Sequence, residues 1–234
     1  MDSSRSFFGR LFQGRDYRGP AIDVAGLSFP NPFGIQVTED EGLDSLARSC
    51  AGFLNVKPGK KGSRKLLDTF PQRGPVTLLS VELEEDISRS FSLAYDFVDF
   101  VVLSPDTHTG LESLEVSDVT SLIDEVLNLR LCYEAYTPVF VRLSPARTME
   151  ELESLVHFCL LNGIDGFFVN SRKHFDTVKS MLGNRLPLGV TLENATPEEL
   201  LAMYKDGASL VESNLNPIGL GKALRLLEKE GIRQ

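Results

Sequence analysis

Residues 138–170 read PVFVRLSPARTMEELESLVHFCLLNGIDGFFVN, and their pattern decides the fold. Residues 138–143 and 166–169 are short, nearly continuous apolar runs. Half-exposed strands alternate apolar and polar residues; continuous runs mark strands covered on both faces. Residues 149–162 between them read as a helix. Strand, helix and strand in that order imply two parallel strands joined by a right-handed crossover.

The same unit recurs in both directions. Upstream lie two short strands within residues 21–33, then strands at 34–37, 52–56, 76–83 and 97–104. Downstream lie strands at 186–191 and 209–212. Helices are expected at 41–49, 86–94, 118–131, 175–182, 197–205 and 217–230, with one helical turn around 66–70. Thr196 stands as an N-cap before Pro197 at the first helical position. Eight strands, most followed by a helix, imply an α/β fold of the (β/α)8 TIM-barrel type; an open doubly wound sheet is the alternative. No linker divides residues 21–234, so the chain divides into an extension, 1–20, and one barrel domain, 21–234. The barrel is lean beside the roughly 250 residues typical of the fold, which requires short loops.

Composition narrows the function. The chain has 234 residues, 42% hydrophobic and 24% charged, which is globular rather than disordered. A net charge of -9 argues against a general nucleic-acid binder. No apolar run approaches the roughly 20 residues of a membrane span, and no secretory signal is recognisable, so a cytoplasmic protein is expected. Cys50, Cys132 and Cys159 are too few and too scattered for a disulfide framework or a zinc site. His108, His157 and His174 form no ligand pair, so no metal is expected. In the extension, Phe7, Phe8, Leu11 and Phe12 share a helical face flanked by Arg5, Arg10 and Arg15. Packing on the barrel or on a partner is the first reading; peripheral membrane contact through residues 5–12 is the second.

In a barrel of this kind, chemistry sits on the loops after the strands. Two of those loops stand out. Residues 104–110, SPDTHTG, place hydroxyls, an acid and an imidazole after an apolar strand. They read as a catalytic loop, or as a plain strand terminator in which Ser104-Pro105-Asp106 caps the next segment. Residues 57–65 carry Lys57, Lys60, Lys61, Arg64 and Lys65 with two glycines. They fit an anion, a nucleotide tail or an acidic partner, or are simply a solvated loop, and they lack the ending of a P-loop.

Several of these stretches together resemble the dihydroorotate dehydrogenase family. GLSFPNPFGI (26–35) resembles its opening hairpin, and LSPDTHTGLESL (103–114) its N-x-S-S-P-N-T-x-G-L-x-x-L loop after barrel strand four. PVFVRLSP (138–145), NGIDGFFVN (162–170) and DGASLVE (206–212) resemble its later strand motifs, in order and at matching spacings. The resemblance implies an FMN-binding TIM barrel that oxidises dihydroorotate. It assigns Ser104 as candidate base, Arg142, Asn170 and Gly189 as flavin contacts, and Asp106 and Thr107 as substrate contacts; Lys57, Lys60 and Lys61 of the basic loop are candidate anion contacts on their charge alone.

The departures from the family pattern are as telling. A glycine-rich phosphate turn is replaced by Gly189-Val190-Thr191-Leu192-Glu193, and the next anchor by Glu212-Ser213-Asn214. The carboxylates there would repel a phosphate. The small residues after strand one are replaced by Gln36-Val37-Thr38, and its lysine falls near Glu41. A flavin-contacting lysine becomes Arg142, which is not an equivalent cation. Val101 and Asp106 stand where asparagines would hold substrate, and no G-F-N-N-x-G segment lies between Lys65 and Val76. The expectation is therefore a dihydroorotate dehydrogenase-like barrel without FMN or dehydrogenase activity, serving as a binding or interaction protein for a protein partner or an anionic small molecule. The alternatives are a divergent active FMN-dependent enzyme of pyrimidine biosynthesis using Ser104 and Arg142, and a non-flavin barrel binding anions through Arg142, the 57–65 loop and His108.

Overall fold

The computed structural model describes residues 19–38, 49–57, 78–83, 86–105 and 114–231. The expected extension and the helices at 41–49 and 66–70 therefore lie outside the described residues, apart from the ends at Gly19-Pro20 and Ser49.

Ten strands and six helices are described. A two-stranded hairpin, β1 (Ile22–Val24) and β2 (Leu27–Phe29), precedes the barrel. The barrel strands are β3 (Phe33–Thr38), β4 (Phe53–Lys57), β5 (Leu78–Leu83), β6 (Phe100–Leu103), β7 (Val139–Leu143), β8 (Gly166–Val169), β9 (Leu188–Leu192) and β10 (Leu210–Ser213). All eight pair in parallel, and β10 closes on β3. The helices are α1 (Ile87–Ala94), α2 (Val116–Arg130), α3 (Met149–Asn162), α4 (Arg172–Leu182), α5 (Pro197–Lys205) and α6 (Pro217–Lys229). The TIM barrel read from the sequence is the observed fold.

Differences from the expected boundaries have local causes. The fourth barrel strand begins at Phe100, not at 97, because a turn around residues 95–97 finishes α1 first. Helix α4 begins three residues earlier than expected, since the Ser171 hydroxyl accepts from the His174 amide and caps it. Helices α3 and α5 start where expected, each on a threonine in a reciprocal capping box, Thr148 with Glu151 and Thr196 with Glu199.

The barrel lumen is filled from below by aromatic rings. Phe53, Phe100, Phe140 and Phe168 contact one another around the lumen at centroid distances of 5.8, 5.5, 5.6 and 6.4 Å. Phe29, carried in by the hairpin, meets Phe53 and Phe100 edge-on at 5.8 and 5.7 Å. These separations lie in the range where tilted ring pairs attract. Each of three rings lies over a glycine on the adjacent strand: Phe53 over Gly34, Phe140 over Gly166, Phe168 over Gly189. A Cβ on any of these glycines would overlap its ring. The alternation of large and absent side chains lets four phenylalanines share one layer.

The hairpin is thus a plug, and its key residue is testable. Phe29→Ala leaves a ring-sized void under the barrel and is expected to cost about 3–5 kcal/mol in urea unfolding.

Candidate functional site

Directly above the aromatic layer the lumen turns polar. Side chains along a strand alternate between lumen and outside, so the positions two residues beyond the lower layer face inward: Gln36, Asn55, Glu82, Arg142, Asn170, Thr191 and Glu212. Strand register brings Gln36 beside Asn55, Asn55 beside Ser80, and Thr191 beside Glu212.

Arg142 organises this layer. Its Nε donates to Glu82 Oε1 at 2.7 Å. One terminal nitrogen donates to Asn170 Oδ1 at 2.9 Å and Thr191 Oγ1 at 2.5 Å. The other donates to Glu82 Oε2 at 3.0 Å and Glu212 Oε1 at 3.4 Å. A guanidinium has five N–H donors, and all five point at protein acceptors. The Arg142 side chain is 3% exposed; those of Glu82 and Glu212 are 0% exposed.

The carboxylates are further shared. Asn55 Nδ2 donates to Glu82 Oε2 at 3.1 Å and to Glu212 Oε2 at 3.0 Å. Its Oδ1 accepts from the Ser80 hydroxyl at 3.0 Å. Gln36 Nε2 donates to Glu82 Oε2, and the Ser104 hydroxyl donates to Glu82 Oε1 at 2.5 Å. Lys57, at the rim, lies 3.9 Å from Glu82 Oε1.

Charge follows geometry. Burial pushes the Glu82 carboxyl up, but Arg142, Lys57 and the Ser104 hydroxyl outweigh it and hold the group below its ordinary value. Burial also pushes Glu212 up; Arg142 offsets this only in part, and the charge on Glu82 adds to it, so Glu212 sits above its ordinary value. Burial would lower Arg142, yet Glu212 and Glu82 together raise it.

The loops after β9 and β10 are tied by side chains. The Asn194 amide donates to Asn214 Oδ1 at 2.9 Å, and Asn214 Nδ2 donates back to Asn194 Oδ1 at 3.3 Å. Glu193 is exposed beside them. The start of α5 is occupied by its own capping box, in which the Thr196 amide donates to Glu199 Oε2 at 2.7 Å. At the start of α6, Asn216 Oδ1 accepts from the Gly219 amide at 2.9 Å.

Of the residues singled out by sequence, the structure brings together Ser104, Arg142, Asn170 and, at the rim, Lys57. Gly189 lies one level below, under the Phe168 ring, where a Cβ would come within 2.5 Å of a ring carbon. Asp106, Thr107, His108, Lys60 and Lys61 lie outside the described residues. Glu212, read from sequence as a strand-end carboxylate that would repel a phosphate, is wholly buried against Arg142 and Asn55. The reading missed Glu82, Gln36 and Asn55 as site residues. Their signal was present: LLSVEL and GFLNV place a charge or an amide inside otherwise apolar strands, where burial demands a partner. Among the described residues, no group of three or more His, Cys, Asp or Glu side chains could hold a metal ion, and no helix is long and apolar enough to cross a membrane.

No family model matches the chain, and no curated protein sequence matches it. Solved structures do. The chain is similar to DHODH from Eimeria tenella in complex with ferulenol, with a TM-score of 0.68 and 16% identity over 99% of this chain and 93% of that one. It is similar to an aldolase, with a TM-score of 0.63 and 12% identity over 86% and 96%. It is also similar to a mandelate oxidase mutant with a monooxide FMN adduct, with a TM-score of 0.59 and 14% identity over 93% and 78%. At these identities the likeness is one of fold: a TIM barrel of the shape used by DHODH and other FMN enzymes, and by an aldolase.

Two expected outcomes follow from the buried charges. Arg142→Met leaves the buried carboxyl groups of Glu82 and Glu212 without their cation and lowers stability by about 3–5 kcal/mol in urea unfolding, and adding Glu82→Gln and Glu212→Gln recovers part of that loss. His174, in the first turn of α4, is buried, and neither ring nitrogen has a partner. Burial lowers its pKa from the ordinary 6.5, so on acidification the unfolded chain takes up the proton first. Stability therefore falls as pH drops below about 6.5 through the lowered value, and His174→Phe removes this part of the acid limb.

Proposed function

We propose that this chain is a dihydroorotate dehydrogenase-like barrel whose flavin site has been replaced by an internal ion network, and that it acts by binding rather than by redox catalysis. The observation that carries this reading is Arg142. At the position where the resemblance puts a flavin-contacting cation, every N–H donor is already committed to Glu82, Glu212, Thr191 or Asn170.

The residues described do not fit FMN. A flavin ring would have to take hydrogen bonds from Arg142 that now satisfy the buried carboxyl groups of Glu82 and Glu212, at the cost of leaving those groups unpaired. A phosphate at the last two strand ends would meet the exposed Glu193 and the reciprocal Asn194–Asn214 clip. It would also meet α5 at an end already capped by the Glu199 carboxylate, where helix N-termini otherwise attract anions. In place of redox chemistry we propose association with a protein partner or an anionic small molecule, in the cytoplasm. The basic segment 57–65 is the part of the sequence suited to such a partner.

One observation favours the second reading, a divergent active flavoenzyme. The Ser104 hydroxyl donates to Glu82 at 2.5 Å, the kind of relay a serine base needs. Glu82 is a poor proton acceptor, however, while Arg142 holds it below its ordinary value. The two readings separate on one preparation. Freshly purified protein is expected to be colourless, to show no heat of binding with FMN, and to leave dihydroorotate unoxidised. A bound flavin band near 450 nm (about, for flavins in general) would overturn the proposal in favour of the enzyme.

A further inference from the structure

Among the described residues, the polar layer contains two buried glutamates but one buried cation, and their contacts are unequal. Glu82 faces Arg142 with both oxygens, at 2.7 and 3.0 Å, and also receives Ser104, Gln36 and Asn55. Glu212 receives Asn55 on Oε2 at 3.0 Å, while Arg142 and the Thr191 hydroxyl stand 3.4 Å from Oε1. The two carboxylates cannot separate, because Asn55 Nδ2 touches an oxygen of each, and so does one terminal nitrogen of Arg142. Like charges held this close do not both ionise at their ordinary values.

We propose that the barrel core is a one-proton device: Glu212 keeps its proton at pH values where exposed glutamates have lost theirs, and releasing it loosens the seam that β10 makes with β9 and β3. The proton belongs on Oε1, the oxygen with only long contacts, where it faces the Thr191 hydroxyl. Among the described residues, three charged groups act on Glu212. Arg142 on β7 and Lys57 on β4 favour ionisation, and Glu82 on β5 opposes it. The groups from β9 and β4 that touch it, Thr191 and Asn55, are neutral. The raised titration of Glu212 and the lowered one of Glu82 agree with this division. On release the proton passes to solvent and a second negative charge remains in a lumen whose guanidinium is already engaged. Glu212 is carried by β10 between Gly34 of β3 and Thr191 of β9, so the pairing of β10 bears the repulsion.

The sign is fixed. A carboxyl whose folded pKa exceeds its unfolded value contributes stability that is complete below the unfolded pKa and is lost as pH rises through the folded one. This deepens the reading of a core sealed by its own ions, but its test does not involve flavin. Side-chain carboxyl carbon resonances of the glutamates, followed by NMR against pH in the wild-type chain, report Glu212 directly. Glu212 is expected to titrate above the exposed glutamates, and Lys57→Met, which removes a favouring cation, to shift its midpoint higher. In unfolding experiments, Glu212→Gln mimics the protonated form and is expected to abolish the corresponding loss of stability on alkalinisation. Titration of Glu212 at or below the exposed glutamates, no upward shift in Lys57→Met, or the same alkaline loss in Glu212→Gln would each overturn the proposal. A flavin signal in the purified protein would instead count against the sealed-core function, whatever the titration showed.

Discussion

The structure turns on one guanidinium. Arg142 is almost wholly buried inside a closed barrel, so each of its N–H groups must find a protein acceptor. Glu82 on β5, Thr191 on β9, Glu212 on β10 and Asn170 just after β8 supply them. The acceptors in turn need donors, which explains Asn55, Gln36 and Ser104 at the same level. Buried ion networks are not strongly stabilising against an apolar core of equal shape, but removing one member is costly. That asymmetry preserves the whole set or none of it, and it makes the same residues poor hosts for a flavin.

The dry layer below makes these charges matter. Four phenylalanines fill the lower lumen, each of three lying over a glycine, and Phe29 closes the bottom. Charges resting on such a floor are poorly screened, so the pairing between Arg142 and the carboxylates is stronger than it would be at a wet surface. The hairpin plug and the ion layer are therefore linked: one excludes water from below, and the other satisfies the polar groups that water would have served.

Much of the barrel could be read from the chain because it depends on local pattern. The apolar runs at 138–143 and 166–169, with a helix between them, matched observed elements within a residue. Thr196 and Pro197 started their helix where capping chemistry requires. The site was less legible because it depends on which strands meet across the lumen. Ser104 and Arg142 were visible as polar residues at strand ends. Whether Arg142 faced a ligand or a carboxylate depended on Glu82, sixty positions away in the chain. Gly189 shows the same limit: a glycine at a strand end suits a phosphate, but here its missing side chain accommodates Phe168 from the next strand.

The state of Arg142 is open to direct measurement. Hydrogen exchange at its Nε–H, observed by NMR with and without added FMN, reports whether the group is locked to Glu82. A sealed core predicts strong protection and a resonance that does not move on adding FMN. Rapid exchange, or a shift of that resonance with flavin, would contradict it.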